Sequence, residues 1–309
     1  MSALRVGTRG SELARAQASW VAARLPEPVE IVVVAVSGDA DPARPAPAPA
    51  GPSDKTRWVD RIEQALGEGS IDLAVHSAKD VPGTLAPGLE LVAATAREDA
   101  RDALCGAGGL DELPPGARVG TGSIRRAAQL RAERADLDVR DLRGNVPTRL
   151  RRLADGDFDA IVLALAGLDR LGRREAAGAP LPLDRFVPAP GQGILALEGR
   201  SGDDRARAYA AAVNDPRAWS ALAAERALVA ALDASCHTPV GAHARPAGAG
   251  ELVVDAFVGL PDGSAWVRDR LYGPAGDPTG LGGEVARRLL AAGAGELLRA
   301  AEELAGARA

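Results

Sequence analysis

Over residues 4–165 the chain repeats one pattern: a short apolar run, a turn of small or charged residues, then an amphipathic segment. Residues 4–8 and 29–36 read as buried strands around an amphipathic helix at 11–25, and a helix at 58–66 precedes a strand at 71–75. The pattern resumes with strands at 118–120, 137–141 and 160–165 and helices at 123–134 and 145–154. Alternation of this kind predicts α/β units on open sheets, because each helix carries the chain back across the sheet. The last third departs from it. A proline-rich stretch at 186–193 and a long helix at 215–232 lead to strand-like runs at 241–245, 252–258 and 265–270, then to a helix from Gly282 onward. This predicts a small separate α+β domain. Residues 39–54, rich in proline and alanine, can hold neither a helix nor a central strand and are expected to form a mobile surface loop.

A chain of 309 residues has room for two or three domains, each with a core of its own. Aromatic residues make up only 3%, so that packing falls to Ala, Val and Leu and base-stacking platforms are scarce. A net charge of -5 likewise argues against nucleic acid as a partner. There is no signal-peptide pattern and no apolar run of membrane-spanning length, and a cytosolic protein with no membrane partner is expected. Two cysteines, Cys105 and Cys236, are then expected as free thiols. His76, His237 and His243 form no metal-ligand spacing with them, and no metal is expected.

The basic residues are uneven. Of 37, only Lys55 and Lys79 are lysines. Lys79 stands in His76-Ser77-Ala78-Lys79-Asp80-Val81-Pro82, directly after an apolar strand, where a compact ammonium offers what a guanidinium does not. Chance placement on a solvated loop is the other reading. Gly120-Thr121-Gly122-Ser123-Ile124-Arg125-Arg126 puts small residues where a strand passes into a helix, a place whose free N–H groups favour an anion. Leu142-Arg143-Gly144-Asn145-Val146-Pro147-Thr148-Arg149 repeats the layout, and Arg9 with Ser11, and Lys79 with Asp80, follow strands in the first unit. Strand C-termini in open α/β sheets line the ligand crevice, so these clusters are expected to face one cleft and a ligand rich in carboxylate or phosphate. For Arg131, Arg134, Arg151 and Arg152, ordinary surface placement is the expectation. Cys105 fits a small buried hydrophobe, whereas Cys236, in the polar loop Ser235-Cys236-His237-Thr238-Pro239, fits that role poorly. Adjacent residues of an extended loop point to opposite sides, so His237 is badly placed as a base for Cys236.

Six motifs in order, the three quoted above from His76, Gly120 and Leu142 together with Ala166-Gly167-Leu168-Asp169-Arg170-Leu171-Gly172, Pro190-Gly191-Gln192-Gly193 and Cys236-His237-Thr238-Pro239-Val240-Gly241, resemble the porphobilinogen deaminase (hydroxymethylbilane synthase) family over nearly the whole chain. The resemblance implies two domains like type II periplasmic binding proteins with the catalytic cleft between them, plus a small C-terminal α+β domain. The division implied is 1–95 with 194–213, then 99–190, then 215–309. It also implies a dipyrromethane cofactor joined by a thioether to Cys236, porphobilinogen as the substrate, and a monomeric enzyme. Asp80 is implied as the catalytic acid, assisting loss of ammonia and stabilising the cationic methylenepyrrolenine that the terminal pyrrole attacks. Lys79, Asp80, Ser123, Arg125, Arg126 and Arg143 are implied to hold the cofactor, and Arg9, Ser11, Lys55, Arg149, Arg170 and Gln192 the substrate.

The chain departs from that family at three points. The usual glycine-rich lid gives way to the loop at 39–54, Asp60 stands where some members carry a second lysine, and Ser235 replaces a glycine that commonly precedes the cysteine. Two readings of other classes remain at this point: a non-catalytic two-lobed anion-binding protein, and a hydrolase or transferase that uses Cys236 as its nucleophile.

Overall fold

The computed structural model describes residues 3–36, 56–235 and 238–306. The expected loop at 39–54, Lys55, Cys236 and His237 lie outside the described residues. The chain opens with β1 (Leu4–Arg9), α1 (Glu12–Ala22), β2 (Val29–Val34), α2 (Thr56–Gly67), β3 (Leu73–Ser77) and β4 (Leu89–Ala94). Then come β5 (Asp102–Cys105), β6 (Arg118–Gly120), α3 (Ile124–Glu133), β7 (Asp138–Arg140), α4 (Val146–Ala154), β8 (Ala160–Ala164), α5 (Leu165–Arg170) and β9 (Ala179–Pro180). β10 (Leu195–Arg200), α6 (Asp204–Ala211), α7 (Pro216–Ala231), β11 (Val240–Gly248), β12 (Glu251–Gly259), β13 (Trp266–Pro274), α8 (Pro278–Ala291) and α9 (Ala294–Gly306) complete it.

These elements fall into two compact units, Met1–Glu98 with Gly193–Trp219, and Asp99–Gln192 with Ser220–Ala309. The first holds a five-stranded sheet in the order β2-β1-β3-β10-β4. β1 is parallel to β2 and β3, and β10 runs antiparallel between β3 and β4. Leu4, Val6, Leu73, Val75, Leu195 and Leu197 face Ala18 and Val21 of α1 and Ala206 and Ala210 of α6, while Ala74 meets Ile62 and Leu66 of α2 on the opposite face. Helices thus cover both faces of this sheet.

The second unit repeats the layout with the order β7-β6-β8-β5-β9, again three parallel strands followed by one reversed strand in the fourth place. Its C-terminal region is the antiparallel sheet β11-β12-β13. Ala224 and Leu228 of α7, Val254 and Val258 of β12, Val285 and Leu289 of α8 and Leu298 of α9 share its core. Phe257, from the other face of β12, packs with Ala128 of α3 and Val187, and Arg131 donates to the Pro261 carbonyl at 2.7 Å. These contacts join the five-stranded lobe and the C-terminal region into a single unit. The molecule therefore has two α/β lobes, each on a five-stranded mixed sheet, and a small α+β domain. The buried Glu225 of α7 accepts the N–H of Gly191 at 2.6 Å and of Ala244 at 2.7 Å, tying the turn before β10 to β11.

The expected helix from Gly282 onward is two helices. Gly293, at a φ of 98°, ends the first in the left-handed region that glycine alone adopts without strain. Gly282 lies against α7, where an added Cβ would stand 2.1 Å from the Ala224 carbonyl oxygen. Gly282→Ala is expected to force α8 off α7 at a cost of about 1–3 kcal/mol, read as a lower melting temperature of the full chain. An unchanged melting temperature would show that the helices separate without penalty.

Candidate active site

In the first unit β1 and β3 run parallel, so residues after both strands share one edge of the sheet. Arg9 ends β1. Ser11 caps α1, its hydroxyl accepting the Ala14 N–H at 3.3 Å. One turn on, the buried Gln17 donates to the Ser77 hydroxyl at 2.9 Å and accepts from it at 3.2 Å, fastening α1 to the end of β3. Beyond Ser77 the chain makes a single tight turn over Ala78–Asp80, closed by the Val81 N–H on the Ala78 carbonyl at 3.2 Å. The turn brings Asp80 back over the strand end. The result is a cavity of about 50 Å³ whose polar lining is Arg9, Ser11, Gln17, His76, Ser77 and Asp80. It joins one carboxyl group, one guanidinium and hydroxyl donors in one small space. Such a set can take a proton-bearing nitrogen at Asp80 while Arg9 answers a carboxylate. Lys79 is half-buried in the same turn and lies outside that lining.

In the second unit three expected ligand-binding residues surround a buried carboxylate. Arg125 donates to Asp102 Oδ2 at 2.8 Å; Arg126 donates to Oδ1 through Nε at 3.0 Å and Nη2 at 2.7 Å; Gln192 adds a fourth bond to Oδ1 at 2.8 Å. Two further donors go inward too, Arg125 Nη1 to the Val187 carbonyl at 2.7 Å and Arg126 Nη1 to the Val162 carbonyl at 3.0 Å. The two arginines are only 5% and 6% exposed, so they are built into the unit and do not project from it. Burial alone would push the Asp102 carboxyl up, but the Arg125 and Arg126 charges and the hydrogen bonds of Arg126 and Gln192 outweigh it. They hold the group far below the usual carboxylate range. Burial also lowers the Arg125 guanidinium, against the pull of Asp102, from a starting value so high that it stays charged in any folded protein. Two cations on one anion leave the cluster with a net positive charge.

The other expected residues of this unit stay near the surface. Ser123 caps α3, its hydroxyl accepting the Arg126 N–H at 3.4 Å, and Asn145 caps α4 by accepting from Thr148 at 2.9 Å. Arg143, its side chain 81% exposed, lies 2.8 Å from Asp141, and Arg149 donates to the Gly144 carbonyl at 2.7 Å. Arg170 closes α5 and is half-buried. β6, β7 and β8 are joined in parallel, so all of these follow strand ends on one edge. Burial pushes the Cys105 thiol up to about 11, leaving a neutral core side chain as its apolar surroundings predicted.

Sequence reasoning passed over Asp102, Gln17 and Ser77 as site residues. Gln17 had a signal, being polar on the buried face of an amphipathic helix between Ala14 and Val21. Asp102 had a fainter one, an acidic residue opening the apolar run Ala103-Leu104-Cys105.

Comparison with known proteins bears on both units. Residues 4–208 match the family described as porphobilinogen deaminase, dipyromethane cofactor binding domain, and residues 219–291 match porphobilinogen deaminase, C-terminal domain. The porphobilinogen deaminase of Roseiflexus castenholzii is 46% identical over 304 residues, covering 96% of this chain and 99% of that protein. That of Deinococcus radiodurans is 44% identical over 311 residues, covering 98% and 100%, and that of Leifsonia xyli subsp. xyli 49% over 271 residues, covering 85% and 82%. With an acid and an arginine meeting in the first unit, a net-cationic cluster in the second, and both family domains matched in sequence order, the chain belongs to the porphobilinogen deaminase family.

Proposed function

We propose that this protein is a hydroxymethylbilane synthase, which condenses four porphobilinogen molecules head to tail with loss of ammonia and releases the linear tetrapyrrole by hydrolysis. The observation that carries the reading is the convergence of Asp80, Arg9 and Ser11 on one cavity within a chain matched by both family domains. Porphobilinogen bears an acetate and a propionate, so the growing product gains negative charge at every addition.

Asp80 acts as the acid. Its carboxyl group gives a proton to the departing amine and then, as carboxylate, accepts pyrrole N–H groups and offsets the positive charge that develops when ammonia leaves. Arg9, Arg143, Arg149 and Arg170 neutralise substrate and product carboxylates, with Ser11, Lys79 and Ser123 as further donors. Arg125, Arg126 and Gln192 contribute from within, through the surplus positive charge around Asp102. Lys55 keeps its proposed role in substrate binding.

The residues present fit a dipyrromethane, whose carboxylates suit the net-cationic Asp102 cluster and the helix starts at Ser123 and Asn145. Joined to the Cys236 sulfur, that group supplies the pyrrole on which the chain is built. The working division of the protein is then 1–95 with 194–213, 99–190 and 215–309, the last carrying Cys236. A cytosolic monomer is proposed. Among the described residues no helix is long and apolar enough to cross a membrane.

Intact mass of the purified protein, with peptide mapping around Cys236, tests the reading. The expected result is an excess equal to two condensed pyrrole units on Cys236, absent from Cys236→Ser. A protein that stays at its bare mass after incubation with porphobilinogen would point instead to a non-catalytic anion-binding protein.

A further inference from the structure

On the α2 side of the first sheet, at the back of the Asp80 cavity, lie three titratable side chains of which the proposed chemistry uses none. His76 comes from β3, Glu198 from β10 and Glu63 from α2, and all three are buried, Glu198 completely. The strand register explains their meeting. β10 runs antiparallel to β3 with His76 opposite Ala196 and Ala74 opposite Glu198, which makes His76 and Glu198 diagonal neighbours on one face. His76 Nε2 lies 3.0 Å from Glu198 Oε2. That is ion-pair distance without the directionality of a hydrogen bond, and among the described residues neither Nε2 nor either Glu198 oxygen has another hydrogen-bond partner.

A carboxylate withdrawn from water is costly to keep charged unless a proton donor or cation answers it. His76 is within reach to do so. Burial, reinforced by the Glu198 charge, pushes the Glu63 carboxyl up towards its neutral form, and Glu63 accepts the Ala86 N–H at 3.4 Å. Asp80 shares the cavity with His76 and repels a carboxylate. His76 therefore stands between a buried anion on one side and the cavity that holds the acid on the other. Stability alone does not account for the arrangement, since apolar side chains of the same volume stabilise a core at least as well as a buried ion pair.

We infer that Glu198 fixes the His76 ring and the proton on its Nε2, so that a rigid imidazole forms the wall of the cavity in which Asp80 works. Glu198 is thus a positioning residue for the condensation, acting through His76 with no contact to substrate. The role rests on the reading of Asp80 as the acid.

The test is ¹⁵N nuclear magnetic resonance of the histidine-labelled full-length holoenzyme at pH 7, with the His76 signals assigned by their loss in His76→Gln. The expected result is a protonated Nε2 in the native enzyme, and in Glu198→Gln a shift of that signal towards an unprotonated or mixed tautomer. With it, kcat falls roughly ten- to a hundredfold while KM for porphobilinogen changes little, and Glu198→Asp partly restores both. A bare Nε2 in the native enzyme overturns the inference whether or not the variants fold, and so does a Glu198→Gln protein whose His76 signals and kcat are unchanged. Failure of the Asp80 assignment is separate, because the Nε2 signal reports on the pair without any turnover.

Discussion

Replacing Asp80 with Asn is expected to lower kcat by at least about a hundredfold while leaving the melting temperature and the mass of any group on Cys236 unchanged. The side chain sits at the surface of a small cavity, in a turn held by backbone bonds of Ala78 and Val81, so the amide replaces the carboxyl group without disturbing the fold. What it removes is chemical. An amide still accepts a hydrogen bond, but it neither gives a proton to a departing amine nor offsets a full positive charge. Arg9, Ser11 and Gln17 remain in place, so KM for porphobilinogen is expected to change by no more than a few fold. The assay is release of the linear tetrapyrrole by variant and native enzyme at matched concentration of loaded protein. Retention of half the native kcat would remove Asp80 from the role of acid.

The second large effect is one of stability. Asp102→Asn is expected to cost about 3–5 kcal/mol at pH 7, because it leaves Arg125 and Arg126 as two buried guanidiniums facing no anion. The same change spares the exposed arginines, so its effect on substrate binding follows from the loosened cluster. The pH dependence has a definite sign. Asp102 titrates lower in the folded than in the unfolded chain, so its contribution is complete above the unfolded value of about 4 and is lost as pH falls towards the folded one. The gap between native protein and variant, measured by urea denaturation, should be full at pH 7 and narrower at pH 3. A gap under about 1 kcal/mol at pH 7, or one that widens in acid, would mean that the arginines are charge-compensated in another way.

Much of this was open to reading in the chain itself. The alternation of apolar runs and amphipathic segments determined the two α/β lobes, because side-chain burial on a strand or helix depends on local spacing. The caps at Ser11, Ser123 and Asn145, and the placing of Arg9 and Asp80 after strands, were legible for the same local reason. Four strands escaped, β4, β5, β9 and β10, along with α5 and α6. Of these, β10 takes its place between β3 and β4 only through pairings with residues about a hundred positions earlier, such as Leu197 with Val75, and no local period records such a partner. β5 enters the second sheet in the same reversed manner against β8. Those two insertions bring in the buried carboxylates, Glu198 beside His76 and Asp102 beneath Arg125 and Arg126. The sequence thus determined which residue types stand at the strand ends. Only the tertiary structure decided which arginines lie exposed and which are buried on a carboxylate, because that depends on the strand that pairs alongside and the charge it carries into the core.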